Sequence, residues 1–450
     1  MQERNRILLV AAESLLRRDR LKQVIALLDK LHPADAAEIV AALPDDDQKR
    51  VFESWDIPHA ADAFQEMDED EQADIVDLLS TPLVSDILEE MAADDVADLL
   101  AGLPQQEVAR ILATMNREDA AEVLKLMQYK PNTAGGIMTP EFVALKKDMT
   151  AQEAIDLLRE QAPNAETIYY IFIINSDRQL VGVISLRDLI IAKPNQRIEA
   201  IMNPNVIFVD VDTDQEEVAN IMSRYDLLAL PVVDAEHHLL GIVTIDDVVD
   251  VIEEEANEDI YRLGGVTREE RLDSPTLESI RNRLPWMTLN LGTAFLDYLV
   301  ISRFQGTLDK IVILAAFMPI VAGMGGNMGT QTLTVTTRGI ALGQLEFREG
   351  LRVIARQVAV GLTIGIVTGF LGGLVAYFTQ GNVYFGFALF AAMTINMAVA
   401  GLTGAGIPII LRFLHQDPAL GSSVIVTTFT DVFGFLTFLG IATLLIRFLV

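Results

Sequence analysis

Residues 311–340 read IVILAAFMPIVAGMGGNMGTQTLTVTTRGI, an apolar stretch that carries no charge before Arg338. Its length and composition are those of a membrane span. The middle of the stretch is unusual for a membrane span, because four glycines, an asparagine and a glutamine fall within residues 323–331. Irregular or tightly packed polar backbone at membrane depth is tolerated only where protein buries it or where it lines a water-filled path. The stretch therefore predicts a membrane span that is interrupted or closely packed at its centre.

A second apolar run, residues 422–446 (SSVIVTTFTDVFGFLTFLGIATLLI), contains Asp431. A carboxylate at bilayer depth costs about 3 kcal/mol to insert, so it indicates an ion or proton pathway. On a helix Thr427 shares a face with Asp431, and this oxygen-rich pattern suits Mg²⁺, Ca²⁺ or Mn²⁺. The pattern predicts cation transport, with a buried salt bridge or a proton relay as alternatives for Asp431. Asp297 lies toward the outer end of another apolar run and is not expected to be a ligand.

Charge is divided unevenly along the 450 residues, which is too long a chain for one domain. The first 285 residues hold 58 acids and 26 bases, a net of −32, against +2 for the remainder. So acidic a segment is not expected to bind nucleic acid or anionic lipid unaided, but it will attract cations. The chain has no cysteine, so disulfides and thiolate metal sites are excluded, which fits a protein whose bulk lies in the cytosol.

Residues 1–130 are helical in pattern and quasi-repetitive. Residues 35–44 (DAAEIVAALP) resemble residues 95–104 (DVADLLAGLP), and residues 119–127 (DAAEVLKLM) resemble both. No single unit can bury its apolar face, so we expect the units to stack into a superhelical array. The N-terminal residues read as an amphipathic helix and not as a signal peptide.

A different pair of repeats follows. Met138-Thr-Pro140 recurs as Met202-Asn-Pro204, and residues 180–188 (LVGVISLRD) recur as residues 240–247 (LGIVTIDD). Each repeat predicts a β-α-β-β-α unit, and residues 138–252 resemble a tandem cystathionine β-synthase (CBS) module. The resemblance implies that its Ser/Thr-x-x-Asp corners hold the ribose and phosphates of an adenine nucleotide.

Two such corners are present, Ser185 with Asp188 and Thr244 with Asp247. The alternative for both is that these residues simply cap the helix that follows. Arg187 lies beside Asp188 and favours a nucleotide at the first corner. For the second corner both interpretations stay open.

Residues 246–283 begin with the acidic segment DDVVDVIEEEANEDIYRLGG, which predicts a long helix ending at Gly264-Gly265. Acids recur at i,i+4 spacing, which destabilises a helix by several tenths of a kcal/mol per pair. Five apolar runs follow, each long enough to cross a bilayer: residues 286–304, 311–337, 353–378, 384–411 and 421–446.

The loops between these runs predict the orientation, since basic residues are in excess on the cytoplasmic side. Seven arginines fall on one side: Arg281, Arg283, Arg338, Arg348, Arg352, Arg356 and Arg412. Arg303, Lys310 and Arg447 fall on the other. The asymmetry predicts a multi-pass protein of the cell inner (plasma) membrane with cytosolic N-terminal domains and the C-terminus outside.

The glycine-rich span and the membrane aspartate together form a pattern, Pro319-x-x-x-Gly323-x-Gly-Gly-Asn-x-Gly-x-Gln331 with Thr427-x-x-x-Asp431. With this pattern the whole chain resembles the MgtE magnesium channels. The resemblance implies an α-helical superhelical domain at 1–130, an α+β tandem CBS pair at 131–250, and an acidic connecting "plug" helix and linker at 251–283. The last part, 284–450, is then a helical membrane domain with five transmembrane helices.

Members of that family form homodimers with the pore between the subunits, and cytosolic Mg²⁺ bridges the acidic parts and closes the pore through the plug helix. The pore residues implied here are Asp431, Thr427 and Asn327. The implied sensor ligands for Mg²⁺ are Asp94, Asp98, Asp214, Glu216, Asp226, Asp247, Asp250, Glu255, Glu258 and Asp259. ATP is implied as a regulatory ligand of Tyr170, Ser185, Arg187 and Asp188, although Leu227 stands where the family often has an aromatic residue.

Electrostatics supports the same mechanism, because a net charge of −32 opposes compaction of the first 285 residues. Divalent ions bound between acidic surfaces offset that repulsion and select the compact state. Three other functions compete with this hypothesis. An enzyme is disfavoured because His-Glu-x-x-His is absent from the sequence. A membrane-anchored Mg²⁺ or nucleotide sensor and an H⁺- or Na⁺-coupled divalent cation carrier stay open, and flux measurements separate them.

Overall fold

The computed structural model describes residues 3–161, 165–266, 270, 274–342, 349–414, 416–418 and 422–449. They fall into two compact units, Met1–Ile252 and Glu253–Val450. The first unit is a helical array followed by two small sheets, and the second is a bundle of long apolar helices. The predicted fold class is confirmed at this level, whereas the predicted domain boundaries at 130, 250 and 283 stay predictions.

Ten short helices make up the described part of the array. They are α1 (Glu3–Leu16), α2 (Leu21–Leu28), α3 (Pro33–Ala41), α4 (Asp45–Phe52), α5 (Ile57–Gln65), α6 (Glu69–Leu78), α7 (Thr81–Leu88), α8 (Ala93–Gly102), α9 (Gln105–Thr114) and α10 (Arg117–Leu126). Prolines help to end the predicted units, because Pro44 and Pro104 are the N-caps of α4 and α9. The helices are too short to be stable in isolation, so they depend on packing against one another.

The array consists of two rows of helices. Odd-numbered helices pack on odd-numbered neighbours from α1 to α9, and even-numbered helices pack on even-numbered neighbours from α2 to α10. Fully buried Phe52 and Phe64 meet edge to face between α4 and α5, with ring centroids 5.9 Å apart. The predicted stacking of repeats is therefore present, with each helix burying its apolar face against both rows.

Two three-stranded sheets follow, built in the same way. The first contains β1 (Phe142–Lys146), β2 (Thr167–Ile174) and β3 (Leu180–Ser185), and the second contains β4 (Val209–Asp210), β5 (Ala229–Val233) and β6 (Leu239–Thr244). In each sheet the first two strands are parallel and the last two antiparallel. The helices α11 (Ala151–Gln161), α12 (Leu186–Ile191), α13 (Gln215–Tyr225) and α14 (Ile245–Gly264) complete the two β-α-β-β-α units. A short 3-10 turn, Ile198–Ala200, lies between them.

The two repeats interlock through a methionine and a glycine from opposite repeats. A Cβ on Gly241 would lie 2.8 Å from Sδ of Met138, and a Cβ on Gly182 would lie 2.6 Å from Sδ of Met202. Each Met-x-Pro motif thus enters a space that only glycine leaves open. This packing explains why the sequence repeats both motifs.

Besides the end of α14, the second unit contains five long helices and two short ones among its described residues. The long helices are α15 (Thr276–Arg303), α17 (Leu314–Ala341), α18 (Gly350–Gln380), α19 (Val383–Phe413) and α20 (Ser422–Leu444); the short ones are α16 (Gln305–Leu308) and α21 (Ile446–Leu449). Within the same residues, α15, α18, α19 and α20 are long and apolar enough to cross a membrane. Helix α17 is equally long, but its polar middle lowers its mean hydropathy. The count of five spans therefore stays a prediction for α17.

Close backbone packing joins α18 to α19. Four buried glycines spaced four residues apart, Gly361, Gly365, Gly369 and Gly373, form one stripe along α18. A Cβ on Gly361 would collide with the carbonyl oxygen of Met397. Small residues at this spacing let membrane helices approach closely where no hydrophobic effect drives them together.

Helix α17 runs unbroken from Leu314 to Ala341, so of the two expected alternatives, interruption and close packing, the second is present. Two of the four glycines in its middle, Gly325 and Gly329, serve this close packing. A Cβ on Gly325 would collide with Nδ2 of Asn396, and a Cβ on Gly329 would lie 2.5 Å from Cγ1 of Val426. A continuous helix pairs most of its backbone groups internally, which lipid surroundings favour, although Pro319 within it has no N–H to donate.

The glycine stripe leads to a first prediction. Gly361→Ala should lower the Tm of the full-length protein in detergent by about 4 °C or more, because the added methyl meets backbone and cannot be accommodated by a rotamer change. Gly339→Ala is the matched control, since its Cβ meets nothing within 4 Å and alanine favours the helix. Equal melting temperatures for the two variants would contradict the assignment of this interface.

Candidate cation sites

The membrane carboxylate, Asp431, lies on α20 and is half-buried. Thr427 lies one turn earlier, and its hydroxyl donates to the carbonyl oxygen of Ser423 at 2.9 Å. Thr430 is fully buried and donates to the carbonyl oxygen of Thr427 at 2.9 Å. Both hydroxyl protons are used within the helix. The half-buried Thr427 oxygen keeps a lone pair for a cation or its water, whereas Thr430 packs against Gly325 and Gly329 of α17.

No basic side chain neutralises Asp431 in the part of the chain that the structure describes. The ion pairs found there in this unit involve Arg262, Arg283 and Arg352, and none of them reaches Asp431. A buried salt bridge, one alternative raised by the sequence, is therefore not formed among these residues. The remaining explanations for a carboxylate at this depth are an ion site or a proton site.

The face of α17 that carries Gly325 and Gly329 packs on α19 and α20 beside Asn396, a residue that sequence reasoning missed. Asn396 is 1% exposed, and its Nδ2 donates to the carbonyl oxygen of Val321 at 3.0 Å. Its Oδ1 is buried without a partner among the described residues. The only signal in the sequence was a lone asparagine within the apolar run 384–411.

The opposite face of α17 is polar and exposed. Gly323, Asn327, Thr330 and Thr334 follow one another at spacings of four, three and four residues and form an accessible stripe in the single chain. A helix in lipid does not present such a stripe to hydrocarbon. Asn327 is thus on a different face from the buried glycines, whereas Gly326 approaches α20, since a Cβ on it would lie 3.8 Å from Cγ2 of Thr427.

A second acidic site lies within the first unit, where α8 meets the second CBS-like repeat. Asp94 is 8% exposed and lies beside the Thr139 side chain, and its Oδ1 is buried without a hydrogen-bond partner among the described residues. Asp247 is within electrostatic range of Asp94, and the role of both as sensor ligands stays a prediction. Asp95 lies next to Asp94 and interacts with Asp98.

The carboxyl pKa values at this site are shifted upward because the groups are buried together. Burial, then the negative charges of Asp94 and Asp247, raise the pKa of Asp95 to about 8. Burial, together with the charge of Asp94, raises the pKa of Asp247 to about 7 and that of Glu141 to about 7. Burial also raises the pKa values of Asp94 and Glu166. Carboxylates held this close favour either protons or a divalent cation.

Asp95, Glu141, Glu166 and Asp246 belong to this site, although the sequence did not single them out. Asp246 raises the pKa values of Asp94 and Glu166 through its charge, in each case after the larger effect of burial. The residues come from α8, from the segments that precede β1 and β2, and from the start of α14. Only the fold brings such distant segments together, so the spacing of these acidic residues along the sequence could not have revealed that they share one site.

The two predicted nucleotide corners have the same internal geometry. The Ser185 hydroxyl donates to Oδ2 of Asp188 at 2.6 Å, and the Thr244 hydroxyl donates to Oδ2 of Asp247 at 2.6 Å. Ser185 also caps α12 by accepting from the Asp188 N–H at 3.1 Å. The capping role is therefore present at the first corner, and it leaves Arg187 exposed and without an ion pair among the described residues.

The surroundings distinguish the corners. Tyr170 is half-buried and pairs with Ser185 across β2 and β3, so it stands beside the first corner. The second corner faces the acidic site around Asp94. A nucleotide phosphate is repelled there, which favours a cation at Thr244 and Asp247.

The other predicted sensor residues lie on α13 and α14. Asp214 caps α13 by accepting from the Glu216 N–H at 3.0 Å, and Asp226 ends the helix with φ 52°. Glu258 forms an ion pair with Arg262, which also pairs with Asp417. Asp250 and Glu255 lie on the same helix, and the side chain of Asp259 lies outside the described residues.

Several apolar helices, a carboxylate without a basic partner among the residues described, and an acidic soluble unit define a multi-pass membrane protein that handles divalent cations. Residues 318–441 match the MgtE divalent cation transporter family, residues 31–132 its intracellular N domain, and residues 134–195 and 198–254 the CBS domain. The magnesium transporter MgtE of Thermus thermophilus is 41% identical over 330 residues, 72% of each chain. That of Bacillus subtilis is 38% identical over 72% of this chain and 71% of its own. The chain belongs to the MgtE family.

Two solved structures resemble the soluble part. The soluble part of a magnesium transporter aligns with a TM-score of 0.53 and 36% identity, covering 56% of this chain and 99% of that one. The cytosolic domain of the Mg²⁺ channel MgtE in complex with ATP aligns with a TM-score of 0.52 and 40% identity, covering 54% and 99%. The family predicted from the sequence is thereby confirmed.

The raised pKa values predict how pH affects the acidic site. The folded site binds more protons than the unfolded chain between pH 4 and 8, so its stability should fall as pH rises through this range, by on the order of 2 kcal/mol. Hydrogen exchange of α8 amides, corrected for intrinsic rates, measures this change. Millimolar Mg²⁺ should restore protection at pH 8 and have little effect at pH 5.

Helix α2 serves as the internal control, because it contains no acidic residue. Its protection should change less with pH than that of α8. Protection of α8 that is constant or that increases with pH would contradict the pKa assignment.

Proposed function

We propose that this chain is a Mg²⁺-selective channel or transporter for magnesium uptake, shut by cytosolic Mg²⁺ that binds between its acidic parts. The observation that carries the proposal is Asp431, a half-buried carboxylate on an apolar helix with no basic partner among the described residues. The magnesium transporters to which the chain is similar support the choice of ion. Mg²⁺ gives up its water reluctantly and usually binds through one or two carboxylates, so a hydrated ion suits such a site.

The pore, on this proposal, lies between two copies of the chain in the lipid bilayer. The polar stripe of α17, which includes Asn327 and Thr330, is exposed in a single chain and needs a non-lipid neighbour. A second copy across a two-fold axis supplies that neighbour and brings a second Asp431. Two carboxylates match the charge of one Mg²⁺, whereas one leaves it unbalanced.

Regulation is assigned to the acidic site around Asp94 and Asp247. The site offers a buried Asp94 oxygen without a partner among the described residues, together with carboxyl groups whose pKa values are raised by their proximity. Both features suit coordination of a hard divalent ion. When it binds, Mg²⁺ supplies positive charge that stabilises the ionised, compact arrangement. About 5.5 kcal/mol of differential binding moves a gate from 1:99 to 99:1, which several weak sites can provide together.

The connecting helix is the proposed link from sensor to pore. Arg262, near the end of α14, pairs with Glu258 on the same helix and with Asp417, which lies in the loop before α20. Helix α20 carries Asp431, so displacement of the connecting helix acts on the pore helix through one ion pair. This contact supports the plug role that the family resemblance implies.

ATP is proposed as a second regulatory ligand at the first corner. Ser185 and Asp188 suit a ribose, and exposed Arg187 suits a phosphate. The solved cytosolic domain that is similar to this chain was obtained with ATP. With Leu227 in place of an aromatic residue, the adenine has Tyr170 as its remaining aromatic neighbour.

The remaining parts of the proposal concern location and class. The arginine-rich loops support a plasma-membrane protein with cytosolic N-terminal domains and an external C-terminus. The relatives found are transporters, which supports a protein that is not an enzyme.

Asp431→Asn tests the pore. Mg²⁺ uptake into proteoliposomes should fall by at least about tenfold, since the neutral amide no longer supplies the negative charge that attracts the hydrated ion into the apolar span. Asp309→Asn is the control, because this carboxylate is exposed in the same unit. Uptake that survives Asp431→Asn would place the ion site elsewhere, and uptake that requires an imposed H⁺ or Na⁺ gradient would favour a coupled carrier.

The sensor is tested by the double variant Asp94→Asn, Asp247→Asn. It should keep conducting at millimolar cytosolic Mg²⁺, with the inhibitory concentration raised roughly tenfold, a typical size for an allosteric coupling. The double variant Asp46→Asn, Asp62→Asn removes the same charge from exposed positions on α4 and α5 and should be inhibited normally. Identical inhibition of both double variants would exclude the acidic site as the sensor.

A further inference from the structure

Asp297 is a second carboxylate in the membrane unit, on the apolar helix α15. Its Oδ1 is buried and has no hydrogen-bond partner among the described residues. Asp297 also forms no ion pair among the described residues of the second unit. A buried, unpaired carboxyl oxygen at this depth has no structural role that offsets its desolvation.

The neighbour of Asp297 is the membrane site itself. Helix α15 packs against α20, and Asp297 lies within electrostatic range of Asp431. Two helices therefore bring two carboxylates toward one region, and neither carboxylate forms an ion pair among the described residues.

The charge of this pair distinguishes monovalent from divalent ions. Two ionised carboxylates in surroundings of low polarity repel each other strongly. A monovalent cation offsets half of their charge, whereas a divalent cation offsets all of it. In the proposed dimer, where two Asp431 carboxylates already lie near the axis, Asp297 adds one more negative charge per chain, and the electrostatic advantage of a divalent over a monovalent cation grows with that charge.

We propose that Asp297 is a specificity-determining residue, which acts with Asp431 to favour divalent over monovalent cations along the membrane path. The proposal rests on the proposed function, in which Asp431 lies on that path. It adds the negative charge of a residue on α15 of the same chain to that of Asp431. It does not require Asp297 to contact the ion, since its charge acts on the region that Asp431 faces.

The test compares Mg²⁺ uptake with Na⁺ uptake in chelator, using full-length protein in proteoliposomes. Asp297→Asn keeps the shape and removes the charge, and should lower the Mg²⁺ to Na⁺ uptake ratio by about tenfold or more. Asp297→Glu keeps the charge and should retain most of the ratio. Asp309→Asn removes an exposed charge from the same unit and should match the wild type.

The outcomes separate this inference from the proposed function. A wild-type ratio in Asp297→Asn, together with loss of Mg²⁺ uptake in Asp431→Asn, overturns the inference and leaves the proposed function intact. Undiminished Mg²⁺ uptake in Asp431→Asn overturns both. A purely structural Asp297 lowers the yield of folded protein and both fluxes in proportion, so an unchanged ratio in the folded fraction also counts against the inference.

Discussion

Negative charge that the protein does not neutralise for itself is the constraint on which this structure depends. Asp431 lies within an apolar helix without a basic partner among the described residues, and Asp94 is buried among further carboxylates. In both places folding buries negative charge that no basic side chain neutralises among the described residues, and a divalent cation is well suited to neutralise it. The same physical requirement arises at two separate sites, and the proposed transport and the proposed sensing of Mg²⁺ both rest on it.

The architecture was predictable because it depends on periodic patterns. Repeated units at 35–44 and 95–104 predicted a stacked array, and the two Met-x-Pro motifs predicted a duplicated module. Helix α17 was harder to interpret, since glycines within an apolar run are compatible with either a broken helix or a tight helix contact. Asn396 and Val426 lie directly against Gly325 and Gly329, which shows that these two glycines serve a tight helix contact. Both residues are distant in sequence from the glycines that they touch.

The candidate sites were predictable only in part, and the reason is physical. Asp431 stands out in any sequence because its surroundings are apolar, and Asp94 and Asp247 could be carried over from the family pattern. Glu141 and Glu166 are ordinary surface acids by every local criterion, and their altered pKa values arise from burial against segments far away in the chain. Sequence spacing reports which residues share a helix, but not which helices share a neighbour.

The duplicated corners show what a repeated fold can become. Ser185 with Asp188 and Thr244 with Asp247 keep the same 2.6 Å bond, so the backbone symmetry of the module has survived. Its electrostatic symmetry has not, because an arginine stands at one corner and acids from α8 surround the other. Two corners of the same geometry thus differ in their electrostatic surroundings. On the proposed function the module binds an anion at one corner and a cation at the other, and thermodynamic linkage then requires each ligand to alter the affinity for the other wherever their binding is coupled.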